Sequence, residues 1–304
     1  MEYRELGHSG PRIPAITFGA WPVGGGMGSV DDLTAIATIR RALDLGITAI
    51  DTAEYYRTSE GVVGRALRGT PRDRVFIATK VSAEPFTRAR IREALDNSLR
   101  ALQTDEVDLY QLHRFPSNVP LEEALGGLAE AKASGKIRHV GVSNFTVDQL
   151  RAALAICPIQ SLQPRLNVFD AQASRDLLPF CQENGIGVIV HSPLAKGLLT
   201  GKYRPDARFP ANDERSNMPR FQGKAFERYL AAADELSSLA RAKNLSLVQL
   251  AIAWTLAQPG VTSCIVGAKS PAQVEEHLGA IGAILTSEDV ARIAAIGARA
   301  MISP

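Results

Sequence analysis

The sequence VFIATK, residues 75–80, is a short apolar run that ends in a charged residue, Lys80. Apolar runs of this length, rich in β-branched residues, are typical of a buried β-strand. A second such run, VDLYQLH (107–113), follows and ends in His113. An amphipathic helix between two such strands predicts a parallel βαβ unit, in which both strands point the same way.

The same pattern recurs along the whole chain. The predicted strands are AITFG (15–19), ITAID (47–51), VFIATK (75–80), VDLYQLH (107–113), HVGVSN (139–144), QSLQ (160–163), GVIVHS (187–192) and TSCIVG (262–267). Helical stretches such as DLTAIATIRRALDLG (32–46), which stops at a glycine, lie between them. No linker interrupts the series, and the glycine cluster VGGGMGS (23–29) lacks the G-x-G-x-x-G spacing of an open dinucleotide-binding sheet.

These patterns predict an α/β fold, a (β/α)8 TIM barrel, which routinely reaches this length as one unit. We expect a single domain over residues 1–304, with a short N-terminal β-hairpin and a C-terminal helix. The segment 203–224 is rich in Arg, Pro and Asn without clear periodicity. We expect it to be a mobile segment after the seventh strand, and the sequence does not tell whether it forms an ordered lid.

The composition bears on partners and on location. A net charge of +2, from 34 basic and 32 acidic residues, gives no reason to expect nucleic acid or a membrane surface as a partner. The N-terminus lacks an apolar signal segment, and the longest apolar stretch, LVQLAIAWTLA (247–257), is shorter than the ~20 residues that cross a bilayer. Three widely spaced cysteines indicate neither disulfides nor a metal site, so we expect a cytoplasmic protein.

Polar residues stand at the carboxyl ends of the predicted strands, which converge at one mouth of a barrel. The set is Asp51, Lys80, His113, Ser143, Asn144, Gln163, His191 and Gly267. Tyr56 follows Asp51 by five residues. A tyrosine with a pKa of about 10 is a poor acid, but a neighbouring ammonium lowers that pKa. Lys80 beside Tyr56, held by Asp51, with His113 to hydrogen-bond a carbonyl oxygen, would form a proton donor and oxyanion site for carbonyl reduction.

Several motifs resemble those of the aldo-keto reductase family, from about Leu6 to Gly282. They are ITAIDTAEYY (47–56), SEGVVGRAL (59–67), VFIATK (75–80), DLYQLH (108–113), GKIRHVGVSNF (135–145), HSPLAKGLLTGKY (191–203) and IVGAKSPAQVEE (265–276). The resemblance implies NADP(H)-linked reduction of an aldehyde or ketone, or oxidation of an alcohol or sugar hydroxyl, by direct hydride transfer without a metal. It implies Tyr56 as general acid, Asp51 and Lys80 as the pair that adjusts the pKa of Tyr56, and His113 as the residue that orients the carbonyl.

The resemblance also implies a cofactor groove. Its nicotinamide end would involve Gly19, Ala20, Trp21, Asp51, Ser143, Asn144, Gln163 and His191. Its pyrophosphate segment would involve Ser192, Pro193, Leu194, Gly197, Leu199 and Lys202, and its adenosine end Gly267, Lys269, Gln273, Glu276 and His277. Ser270 and Pro271 predict a helix start beside Lys269, a fitting place for a 2′-phosphate. We therefore expect NADPH to be preferred, with NADH as an alternative cofactor.

Three residues depart from the family pattern. His191 stands where an aromatic residue usually stacks on the nicotinamide, Gln273 where an arginine often clamps the 2′-phosphate, and Arg57 where glycine is common. Because histidine titrates near neutral pH, we expect NADP⁺ to bind more weakly below a pH of about 6.5. The substrate is expected to contact Trp21, Tyr55, Tyr56, Arg57, His113 and Arg114, with Phe115 as a further loop side chain.

Two other functions stay open at this stage. The same fold serves as a non-catalytic, cofactor-sensing subunit of potassium channels, and some barrels are metal-dependent hydrolases, here with His113 and His191 as ligands. The combination of Asp51, Tyr56, Lys80 and His113 favours the reductase. The sequence indicates a small-molecule carbonyl or alcohol as partner, but neither its identity, the physiological direction nor the oligomeric state.

Overall fold

A computed structural model describes residues 1–211 and 213–301. The predicted single domain also includes residues 212 and 302–304, which lie outside the described residues. The strands are β1 (Tyr3–Glu5), β2 (Arg12–Pro14), β3 (Ile16–Gly19), β4 (Ala49–Asp51), β5 (Phe76–Val81), β6 (Val107–Leu112), β7 (Ile137–Ser143), β8 (Ser161–Gln163), β9 (Gly187–Val190) and β10 (Val261–Gly267).

Eight of these strands form a closed barrel in the order β10-β3-β4-β5-β6-β7-β8-β9, and every pair in it is parallel. The predicted eight-stranded α/β barrel is confirmed. The register places the carboxyl ends side by side, because Asp51 pairs with Ala78, Lys80 with Gln111 and Ser143 with Gln163. Polar residues from successive strands therefore meet at one mouth.

Helices cover the outside of the barrel. They are α1 (Asp32–Asp44), α2 (Ser59–Ala66), α3 (Arg88–Leu102), α4 (Leu121–Ala133), α5 (Val147–Leu154), α6 (Leu177–Glu183), α7 (Gly223–Ala242), α8 (Leu247–Leu256), α9 (Pro271–Leu278) and α10 (Ser287–Met301). Side-chain caps start several of them: Thr146 and Ser246 each form a reciprocal capping box. The last helix, α10, packs against α7 and is the predicted C-terminal helix.

The core has two parts. A large apolar cluster lies between the strands and the helices, and a small one fills the barrel interior. Leu6 and Ile13, which flank the turn of the β1–β2 hairpin, are buried in the small cluster against Leu109 and Ile189. The predicted N-terminal hairpin thus closes one end of the barrel, and the mouth at the carboxyl ends of the strands stays open.

The described part of the segment 203–224, which follows β9, contains regular structure that its composition did not predict. It contains short 3-10 helices at Glu214–Asn217 and Pro219–Phe221. The Arg215 guanidinium lies 4.8 Å from the ring centre of Phe209, within a group of aromatic side chains. In the described ranges, no helix has both the length and the apolar character needed to cross a membrane.

Candidate active site

A cavity of about 830 Å³ opens at the carboxyl ends of the strands. It extends from Tyr56 and His113 at one end to Gln273 and His277 at the other. Its walls come from the loops that follow the barrel strands and from the first turns of α9. In a barrel of this kind, the loops at this face carry the functional groups, so this cavity is the candidate active site.

An ion pair between Asp51 and Lys80 lies at the floor of the cavity. Lys80 Nζ is 2.6 Å from Asp51 Oδ1 and also donates to the Thr52 carbonyl at 2.8 Å. The side chains of Lys80 and Asp51 are 0% and 3% exposed. Burial lowers the pKa of Lys80, but Asp51 and Tyr56 more than offset this, so the pKa stands above its ordinary value. Lys80 is therefore a fixed positive charge.

Tyr56 stands over this ion pair in an aromatic environment. Its ring centre is 4.9 Å from that of Trp21 and 5.7 Å from that of His113, and Lys80 Nζ is 5.0 Å from it. Burial raises the pKa of Tyr56, and although Lys80 lowers it, Asp51 raises it again, so the pKa lies above its ordinary value. Our expectation that Lys80 brings this pKa down toward neutrality is wrong for the protein alone, because burial outweighs the ammonium. The phenol is protonated at neutral pH.

His113 contacts a residue that the sequence analysis did not consider. Its Nδ1 is 2.6 Å from the hydroxyl of Ser82, which leaves Nε2 as the other polar atom of the ring. Burial, together with the charges of Lys80 and Arg114, lowers the pKa of His113 to about 3. The imidazole is therefore neutral at physiological pH and carries a single N–H.

A network of side chains connects His191 to β7. Asn144 has a left-handed backbone, with a φ of 59°, and its amide donates to the Ser143 hydroxyl and to the His113 carbonyl. Its Oδ1 accepts a hydrogen bond from Nε2 of His191 at 3.0 Å, while Nδ1 of the same ring contacts the Ser192 hydroxyl. Gln163 donates from Nε2 to Asp51 Oδ2 at 2.8 Å.

The expected pH dependence through His191 is wrong. Burial and the charges of Arg165, Lys80 and Lys196 lower the pKa of His191 to about 3. The imidazole is neutral across the range from pH 5 to 8, so it does not introduce a switchable positive charge. It does line the cavity, as expected from its place at a strand end.

The loop after β9 contains several residues with a left-handed backbone. Ser192, Ala195, Lys196 and Gly197 all have positive φ values, of 61°, 47°, 56° and 100°. Within the loop, the backbone N–H groups of Ala195 and Gly197 donate to the carbonyls of Ser192 and Leu194. Strain of this kind is concentrated at binding sites, and these residues except Ala195 line the cavity. The loop is therefore part of the wall of the candidate site, and Lys196 brings a positive charge to it.

Basic residues gather at the same end of the cavity. Partial burial and the charge of Arg215 lower the pKa values of both Lys202 and Lys269. Arg215 itself forms an ion pair with Asp213, with an N–O distance of 2.5 Å. Cations that lower the pKa of neighbouring lysines create a positive potential, which favours a polyanion such as a dinucleotide phosphate.

Lys269 is positioned by two contacts around the start of α9. Ser270 caps the helix, with Pro271 at its first position, as predicted. The Gln273 side chain folds back and accepts from the backbone N–H of Lys269 at 2.8 Å. The ammonium of Lys269 donates to the carbonyl of Met27, in the glycine-rich loop on the opposite side of the cavity. Lys269 thus crosses the groove.

The sequence profile of the aldo/keto reductase family matches residues 15–298. The chain belongs to the aldo/keto reductase family. It is 39% identical over 302 residues to the aldo-keto reductase YhdN of Bacillus subtilis, covering 95% of this chain and 91% of that protein. It is 32% identical over 306 residues to the aldo-keto reductase yakc [NADP(+)] of Schizosaccharomyces pombe, covering 95% and 89%. The structure of the glycerol dehydrogenase AKR11B4 from Gluconobacter oxydans matches with a TM-score of 0.90 and 35% identity, covering 99% of this chain and 97% of that one.

Membership of this family confirms three predictions: the fold, an oxidoreductase that acts on carbonyl compounds, and the use of a nicotinamide cofactor. The matched relatives support neither a cofactor-sensing subunit nor a metal-dependent hydrolase. In residues 1–211 and 213–301, no group of three or more His, Cys, Asp or Glu side chains is arranged to hold a metal ion.

The structure of this reductase brings most of the predicted site residues to one cavity. The exceptions among the predicted catalytic, cofactor and substrate residues are Ala20, Arg57, Lys80, Ser143 and Leu199. Ala20 and Leu199 are fully buried in the apolar core. Ser143 is buried and donates to the Gln163 carbonyl, while Lys80 lies beneath Asp51. Arg57 is exposed and donates to the Gly25 carbonyl outside the cavity wall.

Other residues at the cavity were missed or misplaced by the sequence analysis. Phe115 packs edge-on against Phe145 and does not line the cavity. Ser82 does line it, and its position two residues beyond Lys80 at a strand end was a usable signal. Glu214 also lines it and accepts from Trp21 and from Lys196. No signal pointed to Glu214, because the segment around it has no periodicity.

Proposed function

We propose that this protein reduces small polar aldehydes and ketones with NADPH, with Tyr56 as the proton donor. The observation that carries the proposal is the buried Asp51–Lys80 pair beneath the Tyr56 ring, with His113 at its edge. When bound in this groove, a nicotinamide dinucleotide would supply the hydride that adds to the carbonyl carbon. The protein must then stabilise and protonate the carbonyl oxygen, which gains negative charge as the hydride arrives.

Each of the four residues has a distinct part in that task. Tyr56 holds a proton at neutral pH, since its pKa is raised, and gives it to the carbonyl oxygen. Lys80 stabilises the phenolate that remains, because its positive charge is buried and close to the ring. Asp51 keeps Lys80 charged and in place. His113, neutral at this pH, donates a hydrogen bond to the same oxygen.

The groove supports a phosphorylated dinucleotide as the preferred cofactor. The loop 192–197, which carries Lys196, would lie against the pyrophosphate, and Lys202 and Lys269 would lie beside the phosphates. The amide side chains of Asn144 and Gln163 line the end of the cavity near Tyr56, where they would hold the carboxamide of the nicotinamide. We infer that NADPH binds more tightly than NADH because a 2′-phosphate adds a charge for Lys269 to neutralise.

The substrate end of the cavity favours a short, polar molecule. It is bordered by the Trp21, Tyr55 and Tyr56 rings and by the Arg114 guanidinium. The related glycerol dehydrogenase is named for a three-carbon alcohol, and a carbonyl of similar size would reach Tyr56 and His113.

We further infer that residues 1–304 act as a single domain. The net charge of +2 lends no support to a nucleic-acid partner.

A substrate panel tests this proposal. Purified protein is assayed with glyceraldehyde, glyceraldehyde 3-phosphate, methylglyoxal, benzaldehyde and aldoses, each with NADPH and with NADH, by loss of nicotinamide absorbance. We expect the highest kcat/KM for a short aldehyde with NADPH. Binding of NADPH, measured by fluorescence, without oxidation of the cofactor by any of these carbonyls would contradict the proposal and favour a binding subunit.

A further inference from the structure

Ser82 follows the strand β5 directly and is buried, with 2% of its surface exposed. Its hydroxyl lies 2.6 Å from Nδ1 of His113, closer than an average hydrogen bond between nitrogen and oxygen. The bond links the loop after β5 to the loop after β6. Ser82, two residues beyond Lys80, is thereby joined to His113, the histidine that faces the substrate in the proposed function.

The direction of this hydrogen bond follows from the number of protons available. His113 is neutral, so its ring carries one proton, on either Nδ1 or Nε2. The Ser82 hydroxyl also carries one proton, and among the described residues Nδ1 of His113 is the sole acceptor within hydrogen-bonding distance of it. If Nδ1 were the donor, the hydroxyl proton would have no partner among these residues and could reach only solvent in the cavity, which is less favourable because so little of Ser82 is exposed. Ser82 therefore donates to Nδ1, and the ring proton is on Nε2.

Two neighbours hold Ser82 in place for this task. Glu54 accepts from the backbone N–H of Ser82 at 2.7 Å and from that of Ala83 at 2.6 Å, both through Oε1. Its other oxygen accepts from the Arg90 guanidinium at 2.9 Å. Arg114 donates to the Ser82 carbonyl at 2.8 Å. The backbone N–H and the carbonyl of Ser82 are thus both held by side chains. Glu54, which holds the N–H, lies two residues before Tyr56 in the chain.

We propose that Ser82 is a positioning residue, anchored by Glu54, that holds His113 in the tautomer with its proton on Nε2. This proposal rests on the proposed function, in which Nε2 faces the carbonyl oxygen of the substrate. In the opposite tautomer Nε2 would present a lone pair to that oxygen and repel the charge that develops there. Fixing one tautomer through the second ring nitrogen is the same device that orients metal-binding histidines.

A nuclear magnetic resonance measurement tests the tautomer without any turnover. Protein labelled with ¹⁵N-histidine is examined at pH 7, and His113 is assigned from the signals lost in His113→Asn. We expect a protonated Nε2 and an unprotonated, hydrogen-bonded Nδ1, and in Ser82→Ala a shift toward a mixture of tautomers. A protonated Nδ1 in the wild-type protein would overturn the proposal, whatever the catalytic role of His113 proves to be.

Kinetics test whether Ser82 acts through His113. We expect Ser82→Ala to lower kcat/KM about 10- to 100-fold, the range seen when a partner that orients a metal-binding histidine is removed. In a His113→Ala background the same change should cost less than about twofold, since non-additivity of this kind identifies residues in one network. Ser117→Ala is the control, because that serine contacts the surface carboxylate of Glu84. Equal losses from Ser82→Ala in both backgrounds would overturn the proposal.

Discussion

Replacing Lys80 with Met removes a buried charge while keeping a side chain of similar length. In the wild-type protein the ammonium donates to Asp51 and to the Thr52 carbonyl, and no part of its side chain is exposed. Among the described residues, the variant leaves Asp51 with one side-chain donor, Gln163. A buried carboxylate that loses its counter-charge must be neutralised or must remain uncompensated, and both are costly.

The structure allows the size of the effect to be worked out. At the Nζ–Oδ1 distance of 2.6 Å, two unit charges attract by about 6 kcal/mol at the effective dielectric constant of ~20 that suits protein sites, and the cost of burying the charges offsets part of this. Removing one partner of a buried ion pair typically lowers the free energy of unfolding by about 3–5 kcal/mol. We therefore expect Lys80→Met to reduce the free energy of unfolding by about 3–5 kcal/mol. The pKa of Lys80 is raised in the folded protein, so its contribution is fully present below its ordinary pKa of about 10.4 and is lost only above that.

Urea unfolding followed by circular dichroism provides the assay, and the chain provides a matched control. Lys136 and Asp96 form another Lys–Asp pair, at 2.5 Å, but their side chains are 40% and 42% exposed. Because solvent screens such pairs, Lys136→Met should cost at most about 1 kcal/mol. The loss in free energy of unfolding caused by each substitution should stay constant between pH 6 and 9. Similar losses of stability in the two variants would refute the claim that the Asp51–Lys80 pair is buried and strongly coupled.

Three further predictions concern the cofactor and the proton. Between pH 5.5 and 8 the affinity for NADP⁺, measured by fluorescence quenching, should change little, since the pKa of His191 is about 3; a tenfold weakening at pH 5.5 would contradict a neutral His191. Lys269→Ala should weaken NADPH binding about 10-fold, as expected for loss of a charge-assisted contact, and leave NADH nearly unchanged; equal losses for both would exclude a phosphate contact. Alcohol oxidation needs the phenolate of Tyr56, and because the pKa of Tyr56 is raised, its rate should increase from pH 7 to 10. Carbonyl reduction needs the protonated phenol, so a reduction rate that falls over the same range would contradict a raised pKa of Tyr56.

The fold was predictable because its decisive signal is local and repeated. Each barrel strand is an apolar run followed by a helix, and the strands found at Phe76–Val81 and Val107–Leu112 fall within a residue of the runs that predicted them. The same repetition identifies strand ends, so Asp51, Lys80 and His113 could be placed together from the sequence. Parallel strands in a barrel leave few alternative arrangements for such residues.

Electrostatic properties were less predictable, because they depend on burial. The position of Lys80 near Tyr56 correctly indicated which residues interact, but not that burial outweighs the ammonium in setting the pKa of Tyr56. Burial likewise keeps His191 neutral where its residue type suggested a switch. Contacts made by irregular segments were equally hidden: Glu214 reaches Trp21 across the cavity from a stretch without periodicity.

The central claim is that Tyr56 supplies the proton in carbonyl reduction, and Tyr56→Phe tests it most directly. The variant retains the ring that packs against Trp21 and His113 and loses only the hydroxyl. Measured with NADPH and the best aldehyde of the panel, kcat should fall by at least ~10²-fold, the usual contribution of a general acid, while the dissociation constant for NADPH stays within about twofold of wild type. Near-normal turnover by Tyr56→Phe, with NADPH bound as tightly as before, would contradict the account.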